Sequence, residues 1–194
     1  MTRILSVLLV DDDTDRAEIV ETGLGAAGHR LLARLDSTHD LPKRVAEFDP
    51  DVVVVSLDSA SRDVIADMRR STESHPRPIA LFVDQSDPAT IAQAMEAGVS
   101  AYVVKGLAQD RVQSVVEVAI AHFNRYRSMH DELDRARLDL HERKAIDRAK
   151  GVLMEQKGLN EEAAFRLLRR LAMDQNKRIG EIAKDLVTYT KLLK

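Results

Sequence analysis

Acidic side chains and one lysine follow the apolar runs in the first half of the chain. In chain order these residues are Asp11, Asp12, Asp58 and Lys105. Carboxylate oxygens are the ligands that Mg²⁺ prefers, and a lysine ammonium group binds phosphate oxygens. The residue types therefore predict a cation and phosphoryl site, provided that the fold brings these side chains to one place.

Apolar runs of strand length alternate with helical patterns over roughly the first 120 residues. The four valines at residues 52–55 are so apolar that we expect them to be buried on both faces of a sheet. This alternation predicts an α/β fold, a five-stranded parallel sheet with helices on both faces, whose strands end at one common edge. The predicted strands are residues 4–10, 30–35, 52–55, 79–83 and 101–104. The predicted helices are residues 14–27, 38–48, 62–74 and 87–97.

Three motifs lie at predicted strand ends within residues 1–122. They are VDDD at residues 10–13, PDVVVV at residues 50–55 and AYVVKG at residues 101–106. Together they resemble the receiver domain of bacterial response regulators, in which an acidic pair binds Mg²⁺, a strand-three aspartate accepts a phosphoryl group and a lysine contacts the phosphate. The resemblance implies that the acidic pair is Asp11 and Asp12 and that the lysine is Lys105.

Two positions depart from the receiver pattern. Ser56 stands at the phosphoacceptor position, and Val83 stands where a switching Thr or Ser is usual. A serine hydroxyl without a neighbouring base is a poor acceptor, and the loss of a carboxylate removes one Mg²⁺ ligand. Asp58, two residues further on, is the alternative candidate for an acceptor, but we expect it to lie past the strand end. We therefore predict at most a weak Mg²⁺ site, at Asp11 and Asp12, and control that does not depend on aspartyl phosphorylation.

A long helix is predicted after Gln109, because residues 110–145 contain neither proline nor glycine. Apolar residues recur there every seven positions, with a second set between them, as is typical of a coiled-coil seam. We expect sheet contacts up to about Phe123 and a partner helix beyond it, along a coiled-coil linker at residues 123–142. The predicted dimer seam consists of Tyr126, Met129, Leu133 and Leu140.

The last part of the chain, residues 143–194, has the pattern of an all-α output domain of three helices. Gly158 can end the first helix, and Asn160 can cap the second. Apolar residues at helical spacing predict its core. We expect that core to include Met154, Phe165 and Met173.

Positive charge is concentrated in the same part of the chain. Residues 141–194 hold 13 Lys and Arg against 8 Asp and Glu, whereas residues 1–140 hold 16 against 24. This asymmetry indicates that a polyanionic partner contacts the back of the chain. The candidate contact residues are Lys150, Arg166, Arg169, Arg170, Lys177 and Arg178.

Three segments in this region carry a second resemblance. They are AKGVLM at residues 149–154, EAAF at residues 162–165 and LLRRLAM at residues 167–173. They closely resemble the ANTAR domain, an RNA-binding module of transcription antiterminators, and the whole chain is similar to the nitrate-assimilation subgroup. The resemblance implies binding to paired stem-loops of a leader RNA, which precludes a terminator hairpin, and an inhibitory sensor protein as a partner. A homodimer would offer two domains to two stem-loops.

Composition limits the alternatives. The chain has 194 residues and no cysteine, which excludes disulfide scaffolds and thiol chemistry. No apolar run approaches the roughly 20 residues that a membrane span requires, so we expect a cytoplasmic protein without a membrane partner. A DNA-binding response regulator and a protein-docking regulator without nucleic-acid contact stay open as alternatives. Because no nucleophile–base pair is evident, we do not expect an enzyme.

Overall fold

The computed structural model describes residues 3–192, which form two compact units divided between Arg127 and Ser128. The strands of the first unit are β1 (Ser6–Val10), β2 (Arg30–Leu35), β3 (Val52–Ser59), β4 (Ile79–Gln85) and β5 (Ala101–Val104). They form one parallel sheet in the order β2-β1-β3-β4-β5, which confirms the predicted architecture. The helices are α1 (Thr14–Ala26), α2 (Leu41–Phe48), α3 (Arg62–Ser74), α4 (Pro88–Glu96) and α5 (Gln109–Lys157).

Alternate residues of the central strands fill a core on each face of the sheet, because strand side chains point to opposite faces in turn. Leu8 and Val53 belong to the core covered by α2, α3 and α4. Val7 and Val54 belong to the core covered by α1 and the start of α5. All four valines of residues 52–55 are fully buried, as predicted. Each such burial contributes about 1.5–3 kcal/mol, so the central strands fix the positions of their own ends firmly.

Two element bounds differ from the prediction by more than two residues. β3 continues to Ser59, because its pairing with β4 extends to that residue, so the expectation that Asp58 lies past the strand end is wrong. α2 begins at Leu41, three residues later than predicted. The buried Thr38 hydroxyl instead donates to Asp67 Oδ2 at 2.8 Å, which anchors the loop before the helix.

α5 is one helix of 49 residues. Its first part packs on the sheet, where Val112, Val116 and Ala119 are buried. From residue 124 to residue 141, by contrast, every side chain is exposed. The four predicted seam residues lie in that stretch, with exposed fractions between 46% and 72%. The heptad residues in the first part of α5 therefore pack in the core beside the sheet. Those in residues 124–141 form an apolar stripe on an exposed part of the helix.

The second unit consists of the end of α5, α6 (Glu161–Asp174) and α7 (Ile179–Leu192). Gly158, with φ +63°, follows the end of α5, and Asn160 Oδ1 accepts a hydrogen bond from the Ala163 amide at 2.8 Å, as predicted. A Cβ at Gly180 would lie 2.9 Å from Glu142 Cγ, so this glycine lets α7 approach α5 closely. The buried core is Ala149, Leu153, Ala164, Leu168, Ala172, Ile182 and Ala183. None of the helices in residues 3–192 is both long and apolar enough to span a bilayer.

Candidate functional sites

The first candidate site lies at the carboxyl edge of the sheet. β1 and β3 are paired up to residues 10 and 55, and the next residues, Asp11 and Ser56, are both fully buried. Lys105 reaches the same edge, because its amide donates to the Val83 carbonyl at 2.9 Å, and its side chain is exposed. The topology thus brings the predicted pocket residues to one edge.

The guanidinium group of Arg16, in the first turn of α1, binds the carboxylates at this edge. Its Nε donates to both oxygens of Asp11, at 3.1 and 3.3 Å, and its Nη2 donates to Asp12 Oδ1 at 2.8 Å. Nη1 donates to Asp58 Oδ1 at 2.5 Å. The Arg16 side chain is only 12% exposed. One largely covered cation therefore holds three carboxylates together.

These ion pairs keep Arg16 charged. Burial alone lowers the pKa of a guanidinium, but the hydrogen bonds from Arg16 to Asp11 and Asp58 outweigh that effect and raise the pKa of Arg16. The pKa of Asp13, the N-cap of α1, is lowered, chiefly by the hydrogen bond that its carboxylate accepts from the Arg16 amide. Arg16 is therefore a permanent positive charge at this edge.

Mg²⁺ does not fit the predicted site as these residues are arranged. Mg²⁺ requires near-octahedral oxygen ligands, but the carboxylates of Asp11 and Asp12 are bonded to guanidinium nitrogens. Ser56 Oγ, which stands where receivers have a third carboxylate, lacks a hydrogen-bond partner in the described part of the chain. Within residues 3–192 no three ligating side chains are grouped to hold a metal ion. In the described residues Asp11 and Asp12 thus belong to an arginine–carboxylate cluster, which also engages Asp58, and the weak Mg²⁺ site stays a prediction.

The second candidate site is the basic face of the second unit, and three of its predicted cations are paired internally. Lys150 Nζ lies 2.8 Å from both Asp147 Oδ1 and Glu161 Oε1, and these hydrogen bonds raise the pKa of Lys150. Lys150 thus ties α5 to the first turn of α6. Arg166 and Lys177 each pair with one exposed carboxylate, at 2.8 and 3.1 Å.

The remaining predicted cations of this face are exposed and make no ion pair with any residue in the range 3–192. They are Arg169, Arg170 and Arg178. Arg169 and Arg170 are adjacent on α6, where their charges face solvent. Arg178 precedes α7, and its amide donates to Glu181 Oε2 at 3.0 Å. Of the basic face, the two α6 arginines are therefore the clearest candidates for an external anion.

Three apolar residues expected in the core lie at the surface instead. Phe165 is 42% exposed, Met173 is 74% exposed and Met154 is 40% exposed. The core side of α6 is filled by alanine and leucine, and Phe165 falls just outside that stripe. Phe165, Arg169 and Met173 are spaced four residues apart and share one exposed face, which we call the α6 ridge. Helical spacing alone did not reveal the α6 ridge. The angular position of Phe165 on the helix relative to the core leucines could have revealed it.

Comparisons with known proteins agree with these two units. Residues 134–187 match the model of the ANTAR domain. Over 189 residues the chain is 26% identical to the transcriptional regulatory protein PdtaR of Mycobacterium tuberculosis, which covers 95% of this chain and 92% of that protein. It is 51% identical over 53 residues to the nitrate regulatory protein of Klebsiella oxytoca, across 27% of this chain and 13% of that protein.

Solved structures resemble the first unit in fold. One is the signal receiver domain of a modulated diguanylate cyclase from Desulfovibrio desulfuricans G20, with a TM-score of 0.55 and 21% identity, over 63% of this chain and 98% of that one. Another is NtrX from Brucella abortus, with a TM-score of 0.55 and 22% identity, over 66% of this chain and 29% of that one. At this identity the likeness establishes the receiver fold.

Proposed function

We propose that this response regulator, which joins a receiver fold to an ANTAR output domain, controls transcription by binding two stem-loops of a leader RNA as a homodimer. The RNA held in this way cannot form a terminator hairpin, so that polymerase continues. The protein acts by binding and carries out no catalysis.

The observation that carries the proposal is the exposed pair Arg169–Arg170 on α6, with Arg169 one turn from the exposed ring of Phe165. Cations without an internal partner can neutralise phosphates at no cost in lost ion pairs, and they release the counterions of the nucleic acid. Loop bases of RNA are unstacked and can stack on an exposed aromatic side chain, whereas the bases of duplex DNA are stacked inside the helix. The α6 ridge therefore favours an RNA loop over a DNA duplex.

The exposed stretch of α5 supports the homodimer. Every side chain of residues 124–141 is exposed, and the seam residues Leu133 and Leu140 repeat at heptad spacing. A second copy of the helix would cover that stripe. Two linked ANTAR domains would then bind two stem-loops with an effective concentration that raises the overall affinity.

Control by a partner protein, and not by a phosphoryl group, is the second element of the proposal. Ser56 replaces the acceptor carboxylate and is fully buried, and Arg16 engages Asp11, Asp12 and Asp58. An inhibitory sensor protein that docks on the receiver unit can mask the output without any chemistry at this edge. The receiver unit is then a docking module.

The proposal is tested by comparing a two-stem-loop leader RNA, each single stem-loop and duplex DNA of matched length, in titrations over a range of salt concentrations. We expect the two-stem-loop RNA to bind about 100-fold more tightly than either single stem-loop, with two chains per RNA by sedimentation. Equal, weak and steeply salt-dependent binding to RNA and DNA would contradict the proposal, because it would indicate charge attraction alone.

A further inference from the structure

A concave surface between α5 and α7 in the second unit carries positive charge that no sequence motif had indicated. The cavity has a volume of about 570 Å³, and basic side chains line it from both helices. Lys144 and Arg148 come from one face of α5, four residues apart, and Lys184 comes from α7. We call these three residues and the cavity between them the basic groove.

The charges of the basic groove are unbalanced. Lys144, Arg148 and Lys184 are exposed, and within residues 3–192 none of them forms an ion pair. The lining residues, which also include His141, Leu138 and Val187, contain no carboxylate. Like charges around one concavity repel one another, and a bound polyanion would remove that repulsion. The groove therefore has the charge pattern of an anion-binding surface.

The side chains of the groove also limit what they can recognise. Its lining contains no Phe, Tyr or Trp on which a base could stack and no Asn or Gln that could read a base edge. The deep, narrow major groove of an A-form stem keeps base edges out of reach, so on a stem these lysines and the arginine would contact phosphates and sugars. The α6 ridge, by contrast, carries an exposed phenylalanine ring on which a base could stack.

We propose that the basic groove binds the phosphodiester backbone of the RNA stem, while the α6 ridge contacts the loop. This inference rests on the proposed function and adds a second RNA-binding surface to it. An A-form stem presents the same regular backbone whatever its sequence. A groove lined by lysine and arginine side chains therefore suits it. The basic groove would then bind any RNA stem, and the α6 ridge would select the loop.

The test uses two RNA hairpins with the same stem, one closed by its natural loop and one by an unrelated loop. The variant Lys144→Gln/Lys184→Gln should bind both hairpins about 100-fold more weakly than the unmodified protein, and its salt dependence should fall by about two counterions. Both side chains are exposed, so the variant should keep its circular dichroism spectrum and melting temperature. The matched control, Lys43→Gln/Arg62→Gln in the first unit, removes the same charge.

The outcomes separate the two proposals. If the unmodified protein binds neither hairpin, the proposed function itself is wrong. If it binds RNA and the groove variant binds equally well with the same salt dependence, the groove is not a stem-binding surface. A loss confined to the hairpin with the natural loop would likewise overturn the assignment to the stem, as would an equal loss in the control.

A separate observation concerns the receiver unit. A cation is disfavoured in the first turn of a helix, because the helix dipole places partial positive charge there. Arg16 nevertheless lies in the first turn of α1 with a side chain that is only 12% exposed. Its contacts with Asp11, Asp12 and Asp58 offset that cost, and the fully buried Asp11 in turn needs a counter-ion.

We infer that Arg16 is the built-in counter-ion of this acidic edge and makes the receiver unit independent of divalent cations. A guanidinium attached to the chain occupies the site at every metal concentration. A free metal ion would have to displace three hydrogen-bonded ion pairs before it could bind.

Thermal unfolding with and without millimolar Mg²⁺ at constant ionic strength tests this inference. The unmodified protein should show no Mg²⁺-dependent shift. Arg16→Met should melt about 5–10 °C lower and regain at least half of that loss in Mg²⁺, because the metal replaces the missing cation. Arg44→Ala, which removes an exposed ion pair with Glu47, is the control. Its melting temperature should match that of the unmodified protein and should not shift with Mg²⁺.

A second measurement covers the case in which Arg16→Met fails to fold. In the unmodified protein, Mn²⁺ should leave the amide resonances of Asp11 and Asp12 unbroadened. Selective broadening of those resonances would overturn the inference, and so would a Mg²⁺ shift in the unmodified protein as large as in Arg16→Met. The absence of any Mg²⁺ response in a folded Arg16→Met protein would also count against it.

Discussion

Replacing Arg169 and Arg170 together by alanine is expected to weaken binding to the leader stem-loops about 100-fold, because each lost phosphate contact costs about tenfold at about 0.1 M salt. Both side chains are exposed on α6 and pair with no carboxylate in the described residues, so their removal leaves no stranded partner. Alanine favours helix at least as well as arginine, and the melting temperature should stay the same. Binding isotherms over a salt series measure the effect.

The appropriate control is Arg62→Ala/Arg69→Ala, two exposed arginines of α3 in the receiver unit. It changes the net charge by the same amount in the first unit, outside the residues that match the ANTAR domain. An equal loss of affinity in this control would mean that only the overall charge matters. An unchanged affinity in the α6 variant would remove Arg169 and Arg170 from the RNA-binding surface.

Phe165→Ala is expected to reduce affinity for the natural loop by about tenfold or more, since stacking of one base on an aromatic side chain is worth about 1–3 kcal/mol. The salt dependence should not change, because no charge is lost. Phe165→Tyr should keep most of the affinity. Fluorescence of 2-aminopurine placed at each loop position reports stacking directly, and its quenching should disappear in the alanine variant.

Tyr189→Ala provides the matched aromatic control, because Tyr189 is 68% exposed and lies on α7, outside the α6 ridge. If both variants lose affinity equally, a general effect on the unit is responsible and no specific stacking site exists. If Phe165→Ala instead lowers the melting temperature while affinity per folded molecule is kept, the ring serves packing, as the sequence pattern had suggested.

The receiver fold could be predicted because its information is local. Runs of β-branched residues such as 52–55 are long enough to be strands and short enough not to be helices. Pro50 precedes that run, and Gly28 separates the first helix from the second strand. The ends of parallel strands then meet at one edge by topology alone. Likewise, Gly158 and Asn160 carry their turn and cap preferences with them, and both act as expected.

The features that the sequence did not reveal depend on contacts between distant residues. Arg16 precedes its partner Asp58 by 42 positions, and nothing in its spacing indicates that the side chain reaches β3. Lys150 has the same charge as Arg169, but the ammonium group of Lys150 is paired with a carboxylate eleven residues away in the sequence. For Phe165, a small change in helical phase decides between core and surface. Charge and periodicity identify candidates, and three-dimensional pairing decides among them.

The exposed middle of α5 makes the folding of this part of the helix depend on the concentration of the protein. An isolated helical segment is marginally stable in water, and every side chain of residues 124–141 is exposed. Pairing with a second copy would supply the missing stabilisation, so the helical content of this stretch should rise with protein concentration. At low concentration it would open most readily, and its arginines, among them Arg125, Arg127 and Arg135, would be cut first by a trypsin-like protease. Scarce molecules would then be removed faster than paired ones, and the amount of regulator in the cell would respond steeply to its rate of synthesis.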